Sequence, residues 1–337
     1  LWRIFERMPF ENRTALEQAS DEEVLRLIDY PTYFESLGRP LPENRNGILN
    51  SLADERLISR NDAGGWNITN LGLALFAKNM EGLGGLHRKA MRIVQYKQDN
   101  RLAALKERVE TRGYASGFEG LIRTINDLLP SNEVIGEAIR KTVPVFPELT
   151  IREIVANALI HQDFSITGAG PMVEIFADRV EVTNPGVPLV DTLRFVDSPP
   201  SSRNESLASF MRRIGICEER GSGWDKIILH CELHQLPAPL VEVVGDNTRV
   251  VMFAPRPLLS MHRTERVRAT YFHACLQYVN RKYVTNGSVR ERFGIAAHNR
   301  SQASRLIAEA VEEGVIVSDN PSASPKMKRY SPWWAKG

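Results

Sequence analysis

Cysteine is scarce in this chain: three residues among 337, Cys217, Cys231 and Cys275, with no framework spacing. That excludes a disulfide scaffold and points to a reducing compartment, the cytoplasm. Long apolar runs are missing as well. None approaches the roughly 18 residues that cross a bilayer, and no secretory leader pattern opens the chain, so no membrane partner is expected. The G-x-x-x-x-G-K-[ST] spacing of a P-loop occurs nowhere, which argues against a P-loop motor or kinase. The first residue is Leu1 rather than a methionine, and a part upstream of it is expected.

What is present is enough apolar sequence, 42%, to bury the cores of two or three domains. The net charge of +2 hides an uneven spread. Residues 261–337 hold 13 Lys/Arg against 6 Asp/Glu, while residues 1–260 hold 30 against 35. A basic tail on an acidic body suits a polyanion partner for the tail; a solvated basic surface is the other reading.

Residues 1–20 read as a polar helical lead-in. "SDEEVLRLIDY" then begins with a capping-box pattern, Ser20 and Glu23. "PTYFESLGRPLP" breaks the helical period at Pro31, Pro40 and Pro42. "NRNGILNSLADERLI" is an amphipathic helix, Asp62 to Gly65 supply a hairpin turn, and "LGLALFAKN" is a short buried helix. Helices followed by a hairpin look like a winged-helix unit over residues 1–80. "RKAMRIVQYK" reads as a strand followed by a charged stretch, and "GYASGFEGLIRTINDLLP" as a helix. "NEVIGEAIRKTVPVFP" reads as another amphipathic segment. From residue 148 the order is helix, hairpin turning near Ala177-Asp178, Pro/Ser-rich loop, helix, glycine turn, helix and strand. That is an α/β sandwich pattern. A loop as long as 187–205 inside a domain is usually functional or mobile. Residues 261–334 read as three helices and a two-stranded wing, a winged helix-turn-helix.

The helix "REIVANALIHQDF" (152–164) carries polar residues on an apolar body. Glu153 and Asn157 are four apart and share a face. A carboxamide oxygen is a hard ligand for Mg²⁺, and a carboxylate can polarise a water; an exposed polar edge gives the same spacing. "ERGSGWDKI" (219–227) allows close backbone approach at Gly221 and Gly223 ahead of helical N–H groups that suit an anion, or is simply a glycine-rich helix entry. "VTNPG" (182–186) ends a strand in a turn. His161 and Asp163 either orient a ligand or satisfy the end of their helix. His230, Cys231 and His234 have soft-ligand chemistry but lack a third partner, so a zinc site is not expected.

The order of "REIVANALIHQDF", "EVTNPG" and "CEERGSGWDKI" resembles the ATP-binding region of bacterial Schlafen/AlbA-type transcriptional regulators related to the RecG helicase. "YFESLGRPLPENRNGIL", "ITNLGLALFAKN" and "GYASGFEGLI" look like that family too. The family's AlbA-type nucleic-acid-binding domain would lie mainly before Leu1. Its central region is similar to the GHKL ATPases. The resemblance implies an α+β fold: a GHKL-like sandwich over 81–257 flanked by winged-helix-like domains. It implies ATP and Mg²⁺ as cofactors, with Glu153 as general base and Asn157 as metal ligand. Asn184 and Gly186 would form the adenine-reading turn, where Asn184 replaces the usual Asp and accepts without charge assistance. Gly221 and Gly223 would form the glycine box. Residues 187–205 would be a lid with Arg203 and Asn204 near its end.

In the tail, Asn299, Arg300, Ser301, Gln302 and Arg305 lie toward the start of the third helix, where side chains reach base edges and phosphates. Lys326, Lys328 and Arg329 on the wing suit phosphate. Protein binding by such a module is the competing reading. The function expected is a nucleotide-regulated DNA-binding protein, a cytoplasmic transcriptional regulator with DNA, nucleotide and a homodimer mate as partners. The alternatives are a slow Mg²⁺-dependent ATPase of a DNA-processing or defence complex, and a vestigial GHKL scaffold whose winged helices bind protein.

Overall fold

In the computed structural model, residues 8–135, 140–199, 201–217, 223–324 and 327–335 are described. The expected helical lead-in is instead a strand over its second half, Thr14–Ala19 (β1). The hairpin Ile58–Arg60 (β2) and Trp66–Thr69 (β3) offers an open edge, and β1 pairs antiparallel with β3 to give the order β1-β3-β2. Pairing along an available edge overrides weak local propensity. The capping box forms as read: Ser20 Oγ accepts from Glu23 N at the start of helix Asp21–Leu27 (α1). The Pro-rich break holds a helix after all, Tyr30–Ser36 (α2), because Pro31 falls in its first turn, where a missing N–H costs nothing. Arg45–Asp54 (α3) and the fully buried Asn70–Phe76 (α4) complete this part. Asn61 Oδ1 accepts from the amides of Ala63 and Gly65, which makes the hairpin turn.

The central sheet has six strands in the order β10-β11-β9-β8-β4-β5. They are Met91–Tyr96 (β4), Ala104–Glu110 (β5), Met172–Ile175 (β8), Arg179–Pro185 (β9), Leu240–Val244 (β10) and Asn247–Phe253 (β11). Only β4 and β8 run parallel. The charged stretch after β4 is therefore the edge strand β5, exposed along nearly its whole length. The expected amphipathic segment at 132–147 instead contributes to a separate hairpin, Ser131–Ile135 (β6) with Arg140–Pro144 (β7). Helices Tyr114–Leu128 (α5), Glu148–Ile160 (α6), Glu205–Arg213 (α7) and Gly223–Leu233 (α8) share the sheet's core. On the inner face Val173, Ile175, Val180 and Val182 join Ile151, Ile154 and Val155 of α6. On the outer face Arg101 grips the buried Glu174 at 2.6 and 2.7 Å and Glu181 at 2.9 Å. Apolar residues from Ala19 to Met252 form one continuous cluster, so the N-terminal part and the sheet share a core.

Two further contacts position the site. Glu11, buried, accepts from Ser206 N and Leu207 N, both at 2.9 Å, and so caps α7 from far away in sequence. Glu11→Ala should orphan both amides and cost about 1–3 kcal/mol, measured by denaturant unfolding; an unchanged midpoint would contradict the cap. The second contact is with the C-terminal unit. It consists of helices Arg263–Val279 (α9), Asn286–Arg292 (α10) and Arg300–Glu312 (α11), then Ile316–Ser318 (β12) paired with Tyr330–Pro332 (β13). Its apolar cluster takes in Ile228 of α8, Ala238, and Val196 from the loop before α7. Among the described residues, no helix is long and apolar enough to cross a membrane.

Candidate functional site

A cavity of about 940 Å³ opens between α6, the end of β9, α7, the start of α8 and β11. Glu153, Asn157, Asn184, Arg203 and Gly223 all line it. The i, i+4 face of α6 is therefore turned into a cavity, with Ile151 and Val155 buried behind it. Helix α6 and the turn after β9 are tied together, since Asp163 N donates to Pro185 O at 2.7 Å.

Gly223 shows why glycine is needed at the start of α8. A Cβ there would lie 2.1 Å from Glu153 Oε1, so the missing side chain is the space the carboxylate occupies. The Asn157 side chain makes no hydrogen bond among the described residues and lines the cavity half-buried. Asn184, buried, donates from Nδ2 to Pro185 O at 3.1 Å, which turns its oxygen into the free acceptor of the pair. Gly186 sits at φ +104°, a left-handed conformation that favours glycine, and a Cβ there would press on Asp163 at 2.9 Å. Its N–H donates to Asp246 O, and its carbonyl accepts from Thr248 Oγ1 at 2.6 Å.

Other expected site residues do different work. Asn204 does not line the cavity. Its buried amide donates to Ile160 O at 2.7 Å and Gln162 O at 2.8 Å, closing the C-terminal end of α6. Arg203 reaches the cavity wall but spends its guanidinium on Val187 O at 2.5 Å and His161 O at 3.3 Å, with Asp163 at 3.9 Å. Asp163 is half-buried, and this partial desolvation raises its pKa, but the Ser165 hydroxyl and amide and nearby Arg203 outweigh it and hold the carboxyl below the ordinary value. His161 lines the cavity as a neutral imidazole: burial, Arg203 and Arg212 push it down to about 4. Gly221 and Lys326 lie outside the described residues.

The loop 187–199 roofs the cavity and is held from behind. Phe195 faces the cavity and packs on Trp224 with ring centroids 5.0 Å apart. Its neighbours grip the C-terminal unit. Tyr271 OH donates to Leu193 O, Trp334 Nε1 donates to Tyr271 OH at 3.0 Å, and Arg194 lies 4.8 Å over the Trp334 ring. Helix α8 also bridges the two regions. Gly223 and Trp224 line the cavity, while Glu232 near its other end hydrogen-bonds His273 at 3.0 Å and lies 3.6 Å from Arg292.

In the C-terminal unit Asn299, Arg300, Ser301 and Arg305 are exposed and Gln302 is half-buried. The acidic end of α11 is neutralised internally: Glu309 by Arg266, Glu312 and Glu313 by Arg263. Arg300 and Arg305 have no ion pair among the described residues, and Arg329 lies 5.7 Å from the Tyr283 ring while Lys328 is half-buried. His230 and His234 stack at 6.3 Å, but among the described residues no group of three metal-binding side chains exists. Cys231 is buried, which pushes its thiol up to about 12.

Thr248, Phe195, Trp224 and Arg212 line the cavity without having been singled out by sequence. Thr248 had a signal: it opens the strand that closes the sheet, in register with Asn184. The part played by Asn12 and Arg56 of the N-terminal segment had none.

Residues 168–252 match the family model described as "Putative ATP-dependent DNA helicase recG C-terminal". This stretch, from the approach to β8 through β11, is an ATPase-like domain related to RecG. Among solved structures the chain is similar to the DIP2311 protein from Corynebacterium diphtheriae, with a TM-score of 0.59 at 17% identity. The likeness covers 98% of this chain and 66% of that one, and it is a likeness of fold. No curated protein matches.

Proposed function

We propose that this is a nucleotide-regulated DNA-binding protein, a cytoplasmic transcriptional regulator of the Schlafen/AlbA-related type. It would comprise an N-terminal winged-helix-like region (1–80), a GHKL-like ATP-binding domain (81–257) and a C-terminal winged helix (261–334). The observation that carries this reading is the convergence of Glu153, Asn157, Asn184 and Gly223 on one cavity whose roof is gripped by the basic C-terminal unit. The donor set fits ATP with Mg²⁺. Mg²⁺ supplies charge neutralisation at the phosphates when bound, and the unengaged Asn157 carboxamide would hold it. The Asn184 oxygen is the acceptor suited to an adenine amino group. Phe195 and Trp224 offer apolar cover, and the neutral His161 adds no positive charge to the wall.

Nucleotide binding would then bias the C-terminal unit, because a ligand shifts only states that it binds unequally. A second reading, a slow ATPase, is favoured by the Glu153 carboxylate set into the space left by Gly223. The DNA arm of the proposal is tested by duplex binding across a salt series. Each lost phosphate contact should reduce the log–log salt slope by about 0.9. Arg300→Ala with Arg305→Ala should weaken binding and flatten the slope by about 1.8. Unchanged affinity and slope would remove α11 as the DNA-contacting helix.

A further inference from the structure

Where the N-terminal segment closes the cavity, the end of α7 meets the turn between α3 and β2. Arg213 pairs with Glu55 at 2.7 Å, and Arg39 approaches the same carboxylate at 3.5 Å. The residues next to this ion pair, Arg56 and Arg212, also line the cavity. Neither side chain has an ion pair or hydrogen bond among the described residues. Arg212 is half-buried, and its charge helps hold His161 neutral. Arg56 is kept at φ +58°, left-handed for a residue with a side chain, with its carbonyl accepting from Thr69 Oγ1 at 3.0 Å. Strain of this kind persists where the surroundings fix it, and it gathers at binding sites.

The pairing at this end is incomplete. The charged lining is Arg56, Arg203, Arg212 and Arg213 with Asp54, Glu55, Glu153 and Glu205. Glu55 is shared by Arg213 and Arg39, and among the described residues no carboxylate pairs with Arg212 or Arg56. Arg56 is exposed and Arg212 half-buried; for Arg212, a partly desolvated guanidinium without an ion-pair partner is costly. Its planar fork matches phosphate oxygens.

We propose that Arg212 and Arg56 bind the polyphosphate end of the ligand, so that the N-terminal segment is part of the nucleotide site rather than a neighbour of it. This rests on the nucleotide reading above and assigns which end of the cavity takes the anion. The two residues come from parts of the chain 156 positions apart; both line the cavity, and their sequence neighbours Glu55 and Arg213 form an ion pair.

The test is calorimetric titration of the full chain with ATP, adenosine and inorganic tripolyphosphate, for the wild type, Arg212→Gln and Arg56→Gln. Loss of a charge-assisted contact should weaken ATP and tripolyphosphate about 10- to 100-fold in Arg212→Gln. Adenosine affinity should not change, which also reports that the fold is intact. Arg56→Gln should show the same pattern. ATP affinity unchanged in both variants would overturn the assignment and leave the nucleotide reading standing. Wild-type binding of tripolyphosphate through Arg212 without binding of ATP or adenosine would uphold the anion site and overturn the nucleotide reading. No binding of any of the three would overturn both.

Discussion

Glu153→Gln is expected to lower ATP turnover about 10²- to 10⁴-fold, the span of general-base contributions, while ATP affinity stays within a few-fold. Glu153 lines the cavity with its carboxylate 2.1 Å from where a Gly223 Cβ would sit. The glutamine keeps size and polarity but cannot take a proton. Gly223→Ala offers an independent route to the same result. The atoms nearest the new methyl group all belong to the flexible Glu153 side chain, Oε1 at 2.1, Cδ at 2.9 and Cγ at 3.3 Å, so the protein should fold while the carboxylate is displaced. Turnover unchanged in Glu153→Gln would remove this residue as the base. Wild-type turnover absent with and without DNA would discard the ATPase reading and leave binding as the regulatory event.

Asn157→Ala should weaken Mg²⁺–ATP about 10- to 100-fold, the loss expected for one contact to a charged partner. Its effect should vanish when ATP is titrated with a chelator, because the carboxamide is assigned to the metal. Adenosine should bind the variant as it binds the wild type, since Asn184 and Thr248 stand on β9 and β11, not on α6. Stability should change little, because the Asn157 side chain holds no other described group. An equal loss for ATP with and without Mg²⁺ would show a contact to the nucleotide itself.

Part of the cavity's lining is legible in the sequence because it rests on local pattern. Glu153 and Asn157 share a face by helical period alone, and Gly186 declares a turn that only a left-handed residue completes. Asn204 misled because its chemistry suits both a ligand and a helix end. Two carbonyls left open at the end of α6 decide for the latter, and nothing in the sequence places residue 204 beside residue 160. Gly223 is expected for phosphate approach, and the structure gives it a further reason, room for the Glu153 carboxylate. The lead-in strand β1 and the helix across Pro31 were misread for related reasons. A free hairpin edge recruited the first, and proline is harmless in a first turn. The hold of the C-terminal unit on the roof was invisible, because Tyr271 and Trp334 lie 78 and 140 positions from Leu193 and Arg194.

That hold makes the central claim measurable. If the cavity binds Mg²⁺–ATP and its roof is braced by the unit that binds DNA, the two affinities must shift each other by the same factor, on the order of 5- to 150-fold. The direct measurement is duplex DNA affinity of the wild type at fixed salt, without nucleotide and with saturating Mg²⁺–ATP. The account predicts a shift in DNA affinity, matched by an equal shift in ATP affinity when DNA is saturating, and absent in Asn157→Ala. Identical DNA affinity with and without bound ATP would contradict it.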